Sequence, residues 1–329
     1  MTRLSAKYLG KRLLIAYVTL LVIMTLIFLL LRAMPGGFVE SMITPEMTAA
    51  QADRIREVWG ANDPLYVQYG RFLVNYQTGN FGWSPHWNEA VWGLLLRRLP
   101  RTVILFGAIF VVGYMIGPLV GMYLGWWRGS ATDQGVFTGG LLAYSAPVFW
   151  LAWLFIWFFN YYTGWLPSAY LKTQFPTFAI TPLNVTLDML RHLALPLLSV
   201  AVVAWVGPML VMRTQMNNVV DTNYVRLARA KGLPERTVMI KHAARNALIP
   251  VATSAIVGIA FILDGSVIIE NLFNWPGLGQ LIITGIVQRD FPTVQALFFV
   301  LSVLIIVFRL VTDVVYTYLD PRIDFEEGA

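Results

Sequence analysis

Between Asp221 and Pro250 the chain reads DTNYVRLARAKGLPERTVMIKHAARNALIP. Counting Arg213 as its edge, the segment to Arg245 carries seven basic residues against Asp221 and Glu235. Asp221 or Thr222 can cap a short helix. Gly232 tolerates the positive φ that ends one. Pro234 suits the first turn of a second, where its missing N–H costs nothing. The pattern predicts two short helices joined by a tight bend, a protruding elbow. The chemistry of such a segment is mechanical: a partner that grips it can move the helices on either side. Attraction to anionic headgroups explains the charge, but not the helix–glycine–helix plan.

Covalent chemistry has no comparable signal. There is no G-x-x-x-x-G-K-[ST] phosphate loop, no H-E-x-x-H and no G-x-S-x-G. His86, His192 and His242 lie far apart in sequence, and the chain has no cysteine. Disulfides, thiolate metal sites and cysteine nucleophiles are therefore excluded. Four further residues are ionisable within apolar stretches or at their ends. Asp264 and Glu270 flank G-S-V-I-I, while Asp313 stands four residues after Arg309, close enough to pair on one helical face. Acids in lipid are costly and face a partner or a wet cavity. Asp264 is a candidate pathway residue or a paired structural carboxylate.

These residues need a membrane framework. The 329 residues include 20 Phe, 12 Trp and 14 Tyr; 57% are hydrophobic and only 13% charged. A soluble domain carries about 25% charge. The composition excludes a soluble globule, a disordered chain and a collagen-like chain. Six stretches approach the ~20 apolar residues a helical span requires. They run roughly from Leu13 to Leu31, Val103 to Trp127, Val136 to Phe159, Leu193 to Met212, Ala247 to Ile269 and Val294 to Tyr318. The first is too long for a signal-peptide core and lacks a small-x-small cleavage site. The basic residues of the N-terminal segment and of the elbow place both termini and the elbow on the cytoplasmic side.

The expected organisation is a cytoplasmic N-terminus and first span over 1–32, an extracytoplasmic helical segment over 33–101, and a core over 102–329 with the elbow at 213–246. The 33–101 segment predicts three helices. Thr48 and Gln51 form a capping-box pattern, Asp63-Pro64 opens the second helix, and Ser84-Pro85 opens the third, which Pro100 ends. Trp83, Trp87 and Trp92 suit an interface or a docking surface for an external partner. Gly113, Gly117, Gly121 and Gly125 recur every four residues, a ladder that lets another helix backbone approach. Pro118 lies within it and predicts a kink.

At the elbow the sequence resembles a family. Tyr224 to Leu233 (Y-V-R-L-A-R-A-K-G-L) and Lys241 to Pro250 look like the peptide-transporter variant of the coupling motif of ABC importer permeases. Arg12-Leu13, Phe28 through Pro35-Gly36, Asp63-Pro64-Leu65-Tyr66 and Gly79 to Ser84 also match, although Asn80 stands where the family more often has Asp. So do Pro147-x-Phe149-Trp150, Glu270 through Phe273 and Pro276-Gly277-Leu278-Gly279, Arg289-Asp290-Phe291-Pro292, Asp313-x2-Tyr316 and Asp320-Pro321-Arg322. The chain is thus similar, over nearly its whole length, to the first-subunit type of oligopeptide, dipeptide and nickel permeases.

The resemblance implies an all-α integral membrane protein of type I ABC importer architecture in a prokaryotic cytoplasmic membrane. It implies half of a translocation path, completed by a second homologous permease. Two cytoplasmic ATPase subunits would hold the ATP and Mg, since no cofactor is expected in this chain. An extracytoplasmic binding protein would deliver the cargo, peptides or alternatively oligosaccharides or another solute; no nucleic acid is expected. The ATPase-coupling residues would be Tyr224, Arg226, Ala228, Arg229, Ala230, Lys231, Gly232 and Leu233. Asp264, Glu270, Trp275, Pro276 and Gly277 would line the path or position the following loop. A self-sufficient secondary transporter is disfavoured because the halves differ, one carrying a long outer segment and the other an inner elbow. An intramembrane enzyme lacks a visible catalytic set.

Overall fold

The computed structural model describes residues 6–33, 39–40, 43, 47–60, 62–260 and 266–319. Asp264 lies outside these, as does the closing Asp320-Pro321-Arg322 motif. The described chain is almost entirely helical and divides into two compact units, one of residues 1–101 and 276–329, the other of 102–275.

The first unit begins with α1 (Ala6–Arg32), followed by α2 (Ala49–Val58) and α3 (Leu65–Gln77). Thr48 caps α2 in a complete capping box with Gln51, and Pro64 is the N-cap of α3. The third expected helix does not start at Ser84-Pro85 and does not end at Pro100. Trp83–Ser84 (β1) and Glu89–Ala90 (β2) form a two-residue antiparallel hairpin instead. The cause is local. The Ser84 hydroxyl does accept from the Trp87 amide, as a helix cap would, at 3.0 Å. Asn88 then takes φ 50°, which turns the chain back rather than onward. The helix starts at Val91 and, as α4 (Val91–Trp126), passes through both Pro100 and Pro118 without ending. A proline removes one amide donor; it does not stop a helix this apolar and this long.

The first unit is completed by α13 (Leu278–Val287) and α14 (Phe291–Leu319). Its core joins Met24 and Phe28 of α1 to Phe72 and Tyr76 of α3, Leu281 of α13 and Leu297 of α14. Two polar links brace it. Thr25 and Tyr69 hydroxyls meet at 2.6 Å, and Arg12 pairs with Asp313 at 2.9 Å. The ion pair of Asp313 thus reaches α1, rather than only the turn of its own helix where Arg309 stands.

The second unit contains the rest of α4, then α5 (Ala131–Ser145), α6 (Val148–Phe155) with a π-helical continuation Ile156–Tyr162, α7 (Pro182–Ala204) and α8 (Val206–Val219). It ends with α9 (Asn223–Ala230), α10 (Glu235–Thr237), a π-helical stretch Val238–Ala244, α11 (Arg245–Ala260) and α12 (Ser266–Leu272). The glycine ladder packs against α7 and α8. A Cβ added at Gly113 would lie 3.0 Å from the Ala204 carbonyl oxygen. At Gly117 and Gly121 it would overlap the carbonyls of Trp205 and Met209. Glycine is needed because backbone, not a movable side chain, fills that space.

Four helices among the described residues are long and apolar enough to cross a membrane: 10–32, 91–126, 182–219 and 291–313. The expected third span is not straight. α5 and α6 are bent by 97° at a short break, so they form a broken span or a re-entrant loop. Ala146, before Pro147, is extended at φ −77° and ψ 135°, because a following proline disfavours helical backbone. The expected span from Ala247 to Ile269 includes residues outside the described set, with α11 before them and α12 after.

Candidate functional site

The elbow is built on the predicted turn, with three differences. Thr222 occupies the N-cap position of α9 with extended backbone (φ −71°, ψ 155°). Its hydroxyl does not cap; it donates to the Val219 carbonyl at 2.6 Å. Just beyond the end of α9, Gly232 takes φ +73° and its amide donates to the Arg229 carbonyl at 2.9 Å. Pro234 is an N-cap rather than a first-turn residue (φ −57°, ψ 138°). The second arm is also not a separate short helix. From Glu235 to Ala260 the backbone stays helical through α10, the π-helical stretch and α11.

α9 has two faces. Val225 and Ala228 are buried. They pack into a cluster with Trp126, Met212, Met216, Val238, Ala244 and Val251, drawn from α4, α8 and the second arm. Ala228, a coupling candidate from the sequence, is therefore turned inward. Tyr224, Arg226, Leu227, Ala230, Lys231 and Leu233 face outward, with Leu227 57% exposed. The outer side of α9 and the turn after it thus exposes apolar side chains beside cations.

The end of α4 braces both ends of the elbow. The Arg229 guanidinium lies 4.7 Å from the ring centroid of Trp126, and its Nε donates to Glu235 at 3.0 Å. Arg128, two residues beyond Trp126, donates to Asp221 at 2.6 Å. A deeper link ties α8 to α5. Arg213 donates to both oxygens of buried Asp133, at 2.7 and 2.9 Å, and rests over Phe137. Ser130 caps α5, and the Gly129 amide also donates to Asp133. Trp126, Arg128 and Asp133 were not singled out from the sequence. Their partners are 80 or more residues away, so no local spacing reveals them.

The other candidates lie apart from the elbow in sequence. Glu270 is fully buried in α12, and the Thr102 hydroxyl donates to its carboxylate at 2.7 Å. Its backbone carbonyl accepts from the amide of Trp275, itself 1% exposed, at 2.7 Å. The Pro276 carbonyl accepts from Arg101 at 3.4 Å, and Gly277 is the extended N-cap of α13. The contacts around these residues are hydrogen bonds, ion pairs and apolar packing that hold the helix ends in place.

An apolar helical bundle with a braced basic elbow is a transport-subunit plan, and the known families place it. Residues 117–325 match the binding-protein-dependent transport system inner membrane component, and residues 5–106 match the N-terminal component of the same system's membrane protein. The chain belongs to this family of inner membrane permease subunits, and is a multi-pass membrane protein. It is 34% identical over 321 residues to the oligopeptide transport system permease protein AppB of Bacillus subtilis, covering 97% of this chain and 100% of that one. It is 36% identical to a putative peptide permease protein of Brucella ovis, and 35% identical to the di/tripeptide transport system permease protein DppB of Pseudomonas aeruginosa. Each of those alignments covers 96% of this chain and 98% of the relative.

Proposed function

We propose that this permease subunit forms half of the path of an ATP-driven importer of peptides, with its elbow gripped by a cytoplasmic ATPase. The carrying observation is the two-faced build of α9. Its inner face is packed into the ends of α4 and α8, while Tyr224, Arg226 and Leu227 on its outer face, with Lys231 and Leu233 just beyond it, are exposed. A push on that face passes into α11 along an unbroken helical arm. The peptide cargo is supported by the names of the relatives. In this reading both termini and the elbow are cytoplasmic, a second permease completes the path, and an external binding protein delivers the peptide. ATP and Mg belong to the two ATPase partners. Asp264 is a candidate pathway carboxylate for a peptide's amino terminus.

The test is co-purification from the native membrane followed by reconstitution. The expected result is that ATPase subunits accompany the chain, and that vesicles take up peptide only with ATP and binding protein present. Uptake by this chain alone would refute the coupled reading.

A further inference from the structure

A cavity of about 240 Å³ lies within the first unit, beside Arg32, the last residue of α1. That is far more room than one ordered water needs. Its walls combine the guanidinium groups of Arg32 and Arg71 with side-chain amides and the phenol of Tyr76, set among Phe28, Phe72 and other aromatic rings. No carboxylate lines it among the described residues. Arg71 donates to Asp63, which stands outside the lining, at 2.5 Å. The Arg32 guanidinium lies 5.2 Å from the Phe28 ring centroid.

Tyr76 supplies the independent observation. It is 4% exposed, and its hydroxyl has no hydrogen-bond partner among the described residues. A buried tyrosine hydroxyl normally has one. Burial pushes its pKa up, so the group remains an O–H donor across the physiological range. A donor, two guanidinium groups and apolar walls suit an oxyanion attached to an apolar body. The approach is set by α1. Leu26, Leu29 and Leu30 are exposed along it, an apolar row that leads to Leu31 and Arg32 in the cavity lining.

We propose that this cavity seats the phosphate of a membrane phospholipid, with Arg32 and Tyr76 as donors and the acyl chains lying along α1. The site is independent of the cargo and of the ATPase. It would anchor α3 and the Gly79–Phe81 turn to the bilayer by a reversible charged contact.

The experiment uses the full chain, purified with its partner subunits and stripped of lipid in detergent. Dioleoyl-phosphatidylglycerol, dioleoylglycerol and inorganic phosphate are titrated separately, and binding is read from native mass spectra and the thermal unfolding midpoint. The parent is expected to bind the phospholipid saturably with a raised midpoint, and to respond weakly to the other two. Arg32→Gln and Tyr76→Phe should each weaken phospholipid binding by about tenfold, the range of a charge-assisted hydrogen bond. Tyr76→Phe keeps the ring and its packing, so it reads the hydroxyl without unfolding the unit. Undiminished phospholipid binding in both variants would overturn the proposal. So would dioleoylglycerol matching the phospholipid, or inorganic phosphate doing so.

Discussion

The Arg229 guanidinium stacks on the Trp126 ring with 4.7 Å to its centroid. This couples the first arm of the elbow to the end of α4, the helix that carries the glycine ladder. Because Arg229 also reaches Glu235, one side chain ties α4, α9 and α10 together. A motion of α9 therefore cannot leave α4 behind without losing these contacts.

Arg229→Gln should loosen the elbow. A cation–π contact at an exposed site is worth about 0.5–1 kcal/mol, and an exposed ion pair about 0.2–1 kcal/mol. Faster amide exchange over residues 223–237 is expected, with ATPase recovery in pull-downs only modestly reduced. Lys231→Gln should do the reverse, lowering recovery while exchange stays unchanged. Equal loss of recovery in both would assign Arg229 to the partner surface.

Gly232 has φ +73° and open space where a Cβ would stand. The penalty for a substitution is thus backbone strain of roughly 1–2 kcal/mol, without a clash. Gly232→Val should insert normally yet lose substrate-stimulated ATP hydrolysis in the assembled complex. Gly232→Asn should retain more, since asparagine visits the left-handed region more readily. A fully stimulated valine variant would remove the lever argument.

Gly121→Val should destabilise the second unit by about 1–3 kcal/mol or more, the cost of overpacking against fixed backbone. Gly107→Ala is the control, because nothing lies within 4 Å of a Cβ there. It should be neutral or raise stability by up to about 1 kcal/mol through helix propensity. Thermal unfolding in detergent separates the two.

Glu270→Leu should cost at least about 1–3 kcal/mol, because it leaves the buried Thr102 hydroxyl without this acceptor. Glu270→Gln keeps an acceptor oxygen and should be milder. Unfolding midpoints in that order, parent above Gln above Leu, are expected. A leucine variant as stable as the parent would show that the contact contributes nothing.

Several features are legible in the residues alone because their causes are local or periodic. The capping box at Thr48 and Gln51 spans three residues. The positive φ of Gly232 follows from a glycine between a helix end and a proline. The glycine ladder announces close packing through its four-residue spacing, although not its partners, α7 and α8. Reading Ser84-Pro85 as a helix start fails for an instructive reason: the capping hydrogen bond is real, but Asn88 reverses the chain four residues later.

Composition, hydrophobic periodicity and capping chemistry determined by themselves that this is a helical membrane protein with a basic elbow closed at Gly232. Those signals act within a few turns of chain. Only the tertiary structure decided what the elbow is braced by and which polar groups meet inside. Ser84 donates to Asp290 across 206 residues, Thr102 to Glu270 across 168, and Arg128 to Asp221 across 93. Each pair is brought together by helix packing, and a hydroxyl or guanidinium carries no mark in its own neighbourhood of the carboxylate it will find.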